Sequence, residues 1–134
     1  MSFETFTKYK EAIEKDLKID QFNIQNKINE IPSLKHYWVA KLIESKIELK
    51  QLQRKKNDLI KKVANSENDE DFPLKMSISS KNKLLAKSPI LAEINEQIEE
   101  MELIVEYLEK AEKIFSSTTY DLKNAIELMK MEQM

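Results

Sequence analysis

The chain has 134 residues, with 22 Lys or Arg against 24 Asp or Glu, 34% charged residues, no Gly, no Cys and one His. That length predicts one domain with a modest core, and a chain without Gly has no Walker A loop, no G-x-G-x-x-G turn and no G-x-S-x-G elbow. With no Cys and only His36, disulfides, Cys-type zinc sites, thiol catalysis and His-rich metal sites are excluded, so no metal or cofactor is expected.

The lack of Gly points to an all-helical chain, because Asn can take a helix C-cap whereas hairpin turns normally need Gly. The N-terminal MSFETFTKYKEAIEKDLK lacks the apolar segment of a secretion signal. No later run approaches the roughly 18 apolar residues of a membrane span, so a soluble intracellular protein is expected. Residues 2–18 are predicted as an amphipathic helix. Ser2 or Thr5 is its cap candidate, and Phe6, Tyr9, Ile13 and Leu17 recur at steps of three and four. Asp20 is a candidate N-cap for a short second helix whose apolar positions are Phe22, Ile24, Ile28 and Ile31. Pro32 ends that helix, completing an N-terminal segment 1–31, and suits the first turn of the next.

Residues 32–64 predict a long central helix of about nine turns. Positions 38, 42, 45, 49, 52, 56, 59 and 63 alternate steps of four and three and carry Trp, Leu, Ser, Leu, Leu, Lys, Leu and Val. Such a seam keeps one face against a partner helix. Ser45 and Lys56 are polar positions on it, of the kind that selects register, and the stem of Lys56 is expected to lie along the seam with its ammonium in water. Val63 belongs to the same apolar face. At about 100° per residue, Lys46, Lys50, Arg54 and Lys61 fall within about 80° of one another, forming a positive edge beside the seam.

Residues 65–88 are predicted as an acidic and Ser-rich loop, with Glu67, Asp69, Glu70 and Asp71 before Phe72-Pro73, and with a short turn at Ser80 carrying Leu84 and Leu85. Ser88-Pro89 is a helix start, a cap followed by Pro at the first helical position. The acidic helix 89–116 carries Leu91, Ile94, Ile98, Met101, Val105 and Leu108 at steps of three and four, widened by Ile104, Ala111 and Phe115. Ser116-Ser117-Thr118-Thr119 is expected to interrupt it before a last helix, 120–131, whose face of Leu122, Ala125, Ile126 and Met129 is the candidate oligomer contact. The central helix holds nine Lys or Arg against three acids over 33–64, a balance of +6, and residues 89–115 hold eight Glu against two Lys, a balance of −6. Opposite charges joined by a mid-length loop suggest a long antiparallel helical hairpin with short N- and C-terminal helices.

The glutamates of 93–112 spread around their helix and lack E-x-x-H elements, so they read as a solvated or salt-bridged face and no enzyme is expected. The basic edge has two readings. Lys46, Lys50, Arg54, Lys55, Lys56, Lys61 and Lys62 can face the glutamates of the partner helix or solvent, or part of the edge can track a phosphate backbone. His36-Tyr37-Trp38 is the aromatic cluster nearest the basic region. Stacking on aromatics would suit single-stranded nucleic acid. The phase places Trp38 in the core and leaves Tyr37 and His36 uncommitted.

Lys15-Asp16-Leu17-Lys18-Ile19-Asp20, running without a gap to Trp38, resembles the K-D-x-x-I-D…W segment of the UvsY family, the recombination mediators of T-even-like phages. The Lys56-to-Ala64 region looks like that family's basic central helix, and Tyr120-Asp121-Leu122-Lys123-Asn124-Ala125-Ile126 is similar to its closing F-A-I-K-x-I run. The match covers nearly the whole chain in order. It implies an all-helical subunit in a ring-like homo-oligomer, hexameric or heptameric, acting in the cytoplasm of the infected bacterial host. It also implies binding to single-stranded DNA without sequence preference and help in loading a RecA-like recombinase onto strands covered by single-stranded-DNA-binding protein, with no catalysis. The family's L-K-x-R-L contact motif falls on Ile60-Lys61-Lys62-Val63-Ala64. Its lysine matches Lys61 and its arginine position is Val63, so the DNA-binding role passes to Lys61 and Lys62, supported by Arg54, Lys50 and Lys46. A coiled-coil adaptor with protein partners only, its basic residues paired internally, is the competing expectation.

Overall fold

The computed structural model describes residues 3–20, 22–64 and 88–133. They form three helices and, among the described residues, no strand: α1 Glu4–Asp16, α2 Ile24–Ala64 and α3 Pro89–Glu132. The expected all-helical architecture is therefore present. No helix among the described residues is long and apolar enough to cross a membrane.

α1 starts without a side-chain cap, and Thr7 donates its backbone N–H to the Phe3 carbonyl at 2.9 Å. Thr5, a proposed cap, lies inside the helix, and Ser2 is outside the described residues. Glu4 in the first turn and Lys15 in the last both complement the helix dipole.

Asp20 does act as a cap. Its Oδ1 accepts the backbone N–H groups of Phe22 at 2.8 Å and Asn23 at 3.0 Å, while Asn23 Oδ1 accepts the Asp20 N–H at 2.8 Å. This reciprocal exchange satisfies donors that a helix start leaves without carbonyl partners. The Asn23 carbonyl then takes the Lys27 N–H at 2.9 Å, and α2 is under way.

Two expected breaks are absent. Pro32 does not separate two helices but lies inside α2. An interior proline costs about 3 kcal/mol relative to alanine, because it removes one hydrogen bond and crowds the preceding turn. Ile31, fully buried, and Trp38, 3% exposed, anchor the helix on both sides of it. Burial of one such side chain contributes about 1.5–3 kcal/mol, enough for the two to offset the proline. The second break, at residues 116–119, is absent: the helix runs through it, with Phe115 and Leu122 buried on either side. Ser116 Oγ donates to the Glu112 carbonyl at 3.2 Å and Thr119 Oγ1 to the Phe115 carbonyl at 3.0 Å. Such bonds to the i−4 carbonyl give the two hydroxyls a partner inside the helix, so they do not compete for another backbone conformation. The acidic helix and the expected C-terminal helix are one element, α3.

α3 opens as the Ser88-Pro89 pair predicts, with the Ser88 carbonyl accepting the Ala92 N–H at 3.0 Å. The expected loop of 65–80 and the turn at Ser80, Leu84 and Leu85 lie outside the described residues.

The chain packs as two units, residues 2–45 with 103–134, and residues 46–102. The core of the first contains Ile13, Ile31, Trp38, Leu42, Ile104, Val105, Leu108, Ala111, Phe115 and Leu122. Phe115, Ile31, Ile104 and Leu108 are its largest fully buried side chains. Phe6 meets Tyr107 edge-on, centroids 5.2 Å apart, tying α1 to α3. Ser45 is buried on the seam, and among the described residues no buried side-chain nitrogen or oxygen lacks a hydrogen-bond partner. In the second unit Leu91, Ile94 and Ile98 are buried, and Leu59 and Ile60 of α2 pack against Leu91 of α3.

Candidate nucleic-acid interface

Residues 46–64 of α2 belong to the second unit, and their two sides differ as the seam predicts. Leu49, Leu52, Lys56 and Leu59 are half-buried, while Lys50, Arg54, Lys55, Lys61 and Lys62 are exposed. The half-buried Lys56 fits an aliphatic stem along the seam with a wet ammonium. Lys46 is half-buried and engaged with a partner. The side chain of Val63 is outside the described residues.

N-terminal to this edge, Lys27 pairs with Glu30 at 3.6 Å, Lys35 with Glu112 of α3 at 3.8 Å, and Lys41 with Glu44 at 3.4 Å. Among the described residues no carboxylate pairs with Lys50, Arg54, Lys61 or Lys62. Four exposed cations on one helix, with no ion pair to another described residue, can exchange water and counterions for phosphate oxygens.

A second group of side chains lies in the first unit, where the His36-Tyr37-Trp38 cluster divides. Trp38 is core, and its indole N–H donates to Asp16 Oδ2 at 2.8 Å. Tyr9 of α1 meets the Trp38 ring at 5.9 Å and 81°, and Tyr37 meets it at 5.0 Å and 89°. Tyr37 is 51% exposed, with the Lys41 ammonium 5.5 Å from its ring centroid. The hydrogen bond from Lys41 to Glu44, with the Coulombic fields of Glu44 and Tyr37, raises the lysine pKa above its ordinary value. His36 is exposed.

The candidate oligomer face on α3 is graded. Leu122 is 6% exposed and sits in the core of the first unit, Ala125 and Ile126 are half-buried, and Met129 is exposed. Tyr120, Leu128 and Met131 are more exposed than any of these, a feature missed in the sequence because they fall outside the apolar stripe that periodicity selects. In the same unit Phe3, Phe6, Leu103 and Tyr107 line an apolar cavity of about 270 Å³, bordered by the Glu106–Lys110 ion pair at 3.2 Å. Among the described residues no group of His, Asp and Glu is arranged to hold a metal ion.

The family model described as recombination, repair and ssDNA binding protein UvsY matches residues 12–133. The chain belongs to the UvsY family. Two crystal structures of the bacteriophage T4 recombination mediator protein UvsY share its fold. One superposes with a TM-score of 0.79 at 15% identity over 95% of this chain and 98% of the T4 chain. The other, from a different lattice, gives 0.80 at 16% identity over 96% and 97%. No curated protein sequence matches the chain. At such identity the UvsY fold is shared while surface side chains are free to differ. Within this UvsY-family chain the motif residues have structural work: Asp16 holds Trp38, and Asp20 caps the turn into α2.

Proposed function

We propose that this protein is a recombination mediator that binds single-stranded DNA without sequence preference and helps a RecA-like recombinase load onto strands covered by single-stranded-DNA-binding protein. The observation that carries the reading is the match to the UvsY family model across residues 12–133. The exposed cations Lys50, Arg54, Lys61 and Lys62, with Lys46 at the start of the edge, supply the binding chemistry. Flexible lysines and an arginine recognise phosphates wherever they fall along a strand, so such an edge reads charge and not sequence.

The subunit, a long antiparallel helical hairpin in this reading, assembles into a ring-like homo-oligomer of six or seven copies through Leu122, Ala125, Ile126 and Met129. Repetition of a weak basic edge around a ring turns modest single contacts into avidity for one flexible strand. The protein performs no catalysis, and its place of action is the cytoplasm of the infected bacterial host.

The test is binding to a labelled oligonucleotide, single- against double-stranded, over a salt series. Preference for the single strand, weakening steeply with salt, supports the reading. No binding to the single strand at low salt overturns it and favours an adaptor with protein partners only.

A further inference from the structure

We infer that Tyr37, with Lys41 beside it, is a stacking platform for one base of a bound single strand. The inference rests on the single-strand reading above and adds a site in the first unit, apart from the basic residues of the second.

The argument starts from the division of the aromatic cluster. Trp38 is 3% exposed and its N–H is taken by Asp16, so it cannot receive a base. Tyr37, the residue before it, is half in solvent. An aromatic side chain gains most by burial, and about half of the Tyr37 surface is left in solvent, with Lys41 beside the ring. The Trp38 ring stands at 89° to it, and among the described residues no ring lies parallel to Tyr37. Contact with buried Trp38 fixes where the Tyr37 ring sits, which lowers the entropy lost when a base settles on it.

Charge completes the platform. Lys41 lies one helical turn on, its ammonium 5.5 Å from the Tyr37 centroid, and its partly exposed pairing with Glu44 at 3.4 Å is of the kind worth little in water. It can release that carboxylate for the phosphate of the stacked nucleotide. Every base has a π-face, so such a site adds affinity without sequence preference. Aromatic ring plus adjacent cation is the recurring unit of single-strand recognition.

Trp38 is the only tryptophan of the chain, and its contact with Tyr37 makes it a built-in reporter. The experiment titrates the full-length protein with a labelled oligo-dT and with an abasic strand of equal length, following label anisotropy and Trp38 emission together. The expected result is tighter binding of oligo-dT, with Trp38 emission changed by oligo-dT and not by the abasic strand. Tyr37→Ala should weaken oligo-dT binding by about tenfold and leave abasic binding as it was. Tyr37→Phe should behave as wild type, and Lys41→Gln should weaken both strands alike. Retained abasic binding by Tyr37→Ala also shows that the variant is folded.

Equal affinity of wild type and Tyr37→Ala for oligo-dT, or a silent Trp38 in a wild-type protein that binds, overturns the platform and leaves the single-strand reading intact. Failure of the wild type to bind either strand overturns both.

Discussion

The indole N–H of Trp38 donates a 2.8 Å hydrogen bond to Asp16 Oδ2, joining two residues 22 positions apart. That bond links the end of α1 to α2, and Lys27 Nζ adds a second link at 3.1 Å to the Asp16 carbonyl. Between them, Asp20 turns the chain from one helix into the next. A fixed distance from the aspartate to the tryptophan is therefore a packing requirement, since an inserted residue would rotate Trp38 off the buried face by about 100°.

Replacing the aspartate tests this directly. Asp16→Ala leaves a buried indole donor without an acceptor, and such a group costs about 1–3 kcal/mol. Asp16→Asn keeps an acceptor oxygen and should lose less. Urea unfolding at fixed protein concentration, followed by Trp38 emission, measures both. Equal stability of Asp16→Ala and wild type would show that water replaces the carboxylate there.

The second prediction concerns alkaline pH. Burial, with a smaller effect from the Glu14 charge, raises the Tyr107 pKa above the ordinary phenol value. The folded state then holds the proton more tightly than the unfolded chain, whose phenol titrates near about 10. Stability from this group is complete below that pH and is lost as pH rises through the raised folded value. Thermal unfolding from pH 8 to 11 should show a declining limb that is shallower in Tyr107→Phe, which keeps the ring contact with Phe6.

The third prediction separates assembly from folding on α3. Leu122 is buried within its own unit, so Leu122→Ala should lower stability by about 2–5 kcal/mol whatever it does to assembly. Met129 is exposed, so Met129→Glu should leave the melting of a dilute sample nearly unchanged while lowering the mass seen by light scattering. An unchanged mass for Met129→Glu would move the contact off this residue.

Much of this fold was legible because burial follows period. The steps that select Trp38, Leu42 and Ser45 find three buried residues, and those that select Leu91, Ile94, Ile98, Val105 and Leu108 find five more. Asp20 was readable as a cap because its short side chain reaches the backbone donors that follow it. Pro32 and the 116–119 run read as breaks because local preference cannot weigh the burial of Ile31, Phe115 and Leu122 around them. The candidate site was legible in part. Helical phase separated Lys50, Arg54 and Lys61 from the seam, and their exposure follows. Phase also places Trp38 in the core, while the half-exposed position of Tyr37 depends on where α1 packs, which no pattern within α2 contains.

The salt dependence of single-strand binding, compared between wild type and the paired charge reversals Lys61→Glu/Lys62→Glu and Lys50→Glu/Arg54→Glu, tests the central claim most directly. For wild type, log affinity should fall by roughly 0.7 per contacted phosphate for each decade of salt. Each pair of reversals should weaken binding at low salt and flatten that slope by about 1.4 if both of its residues meet phosphates. Affinity and slope identical to wild type in both variants would contradict the account and place the DNA on another surface.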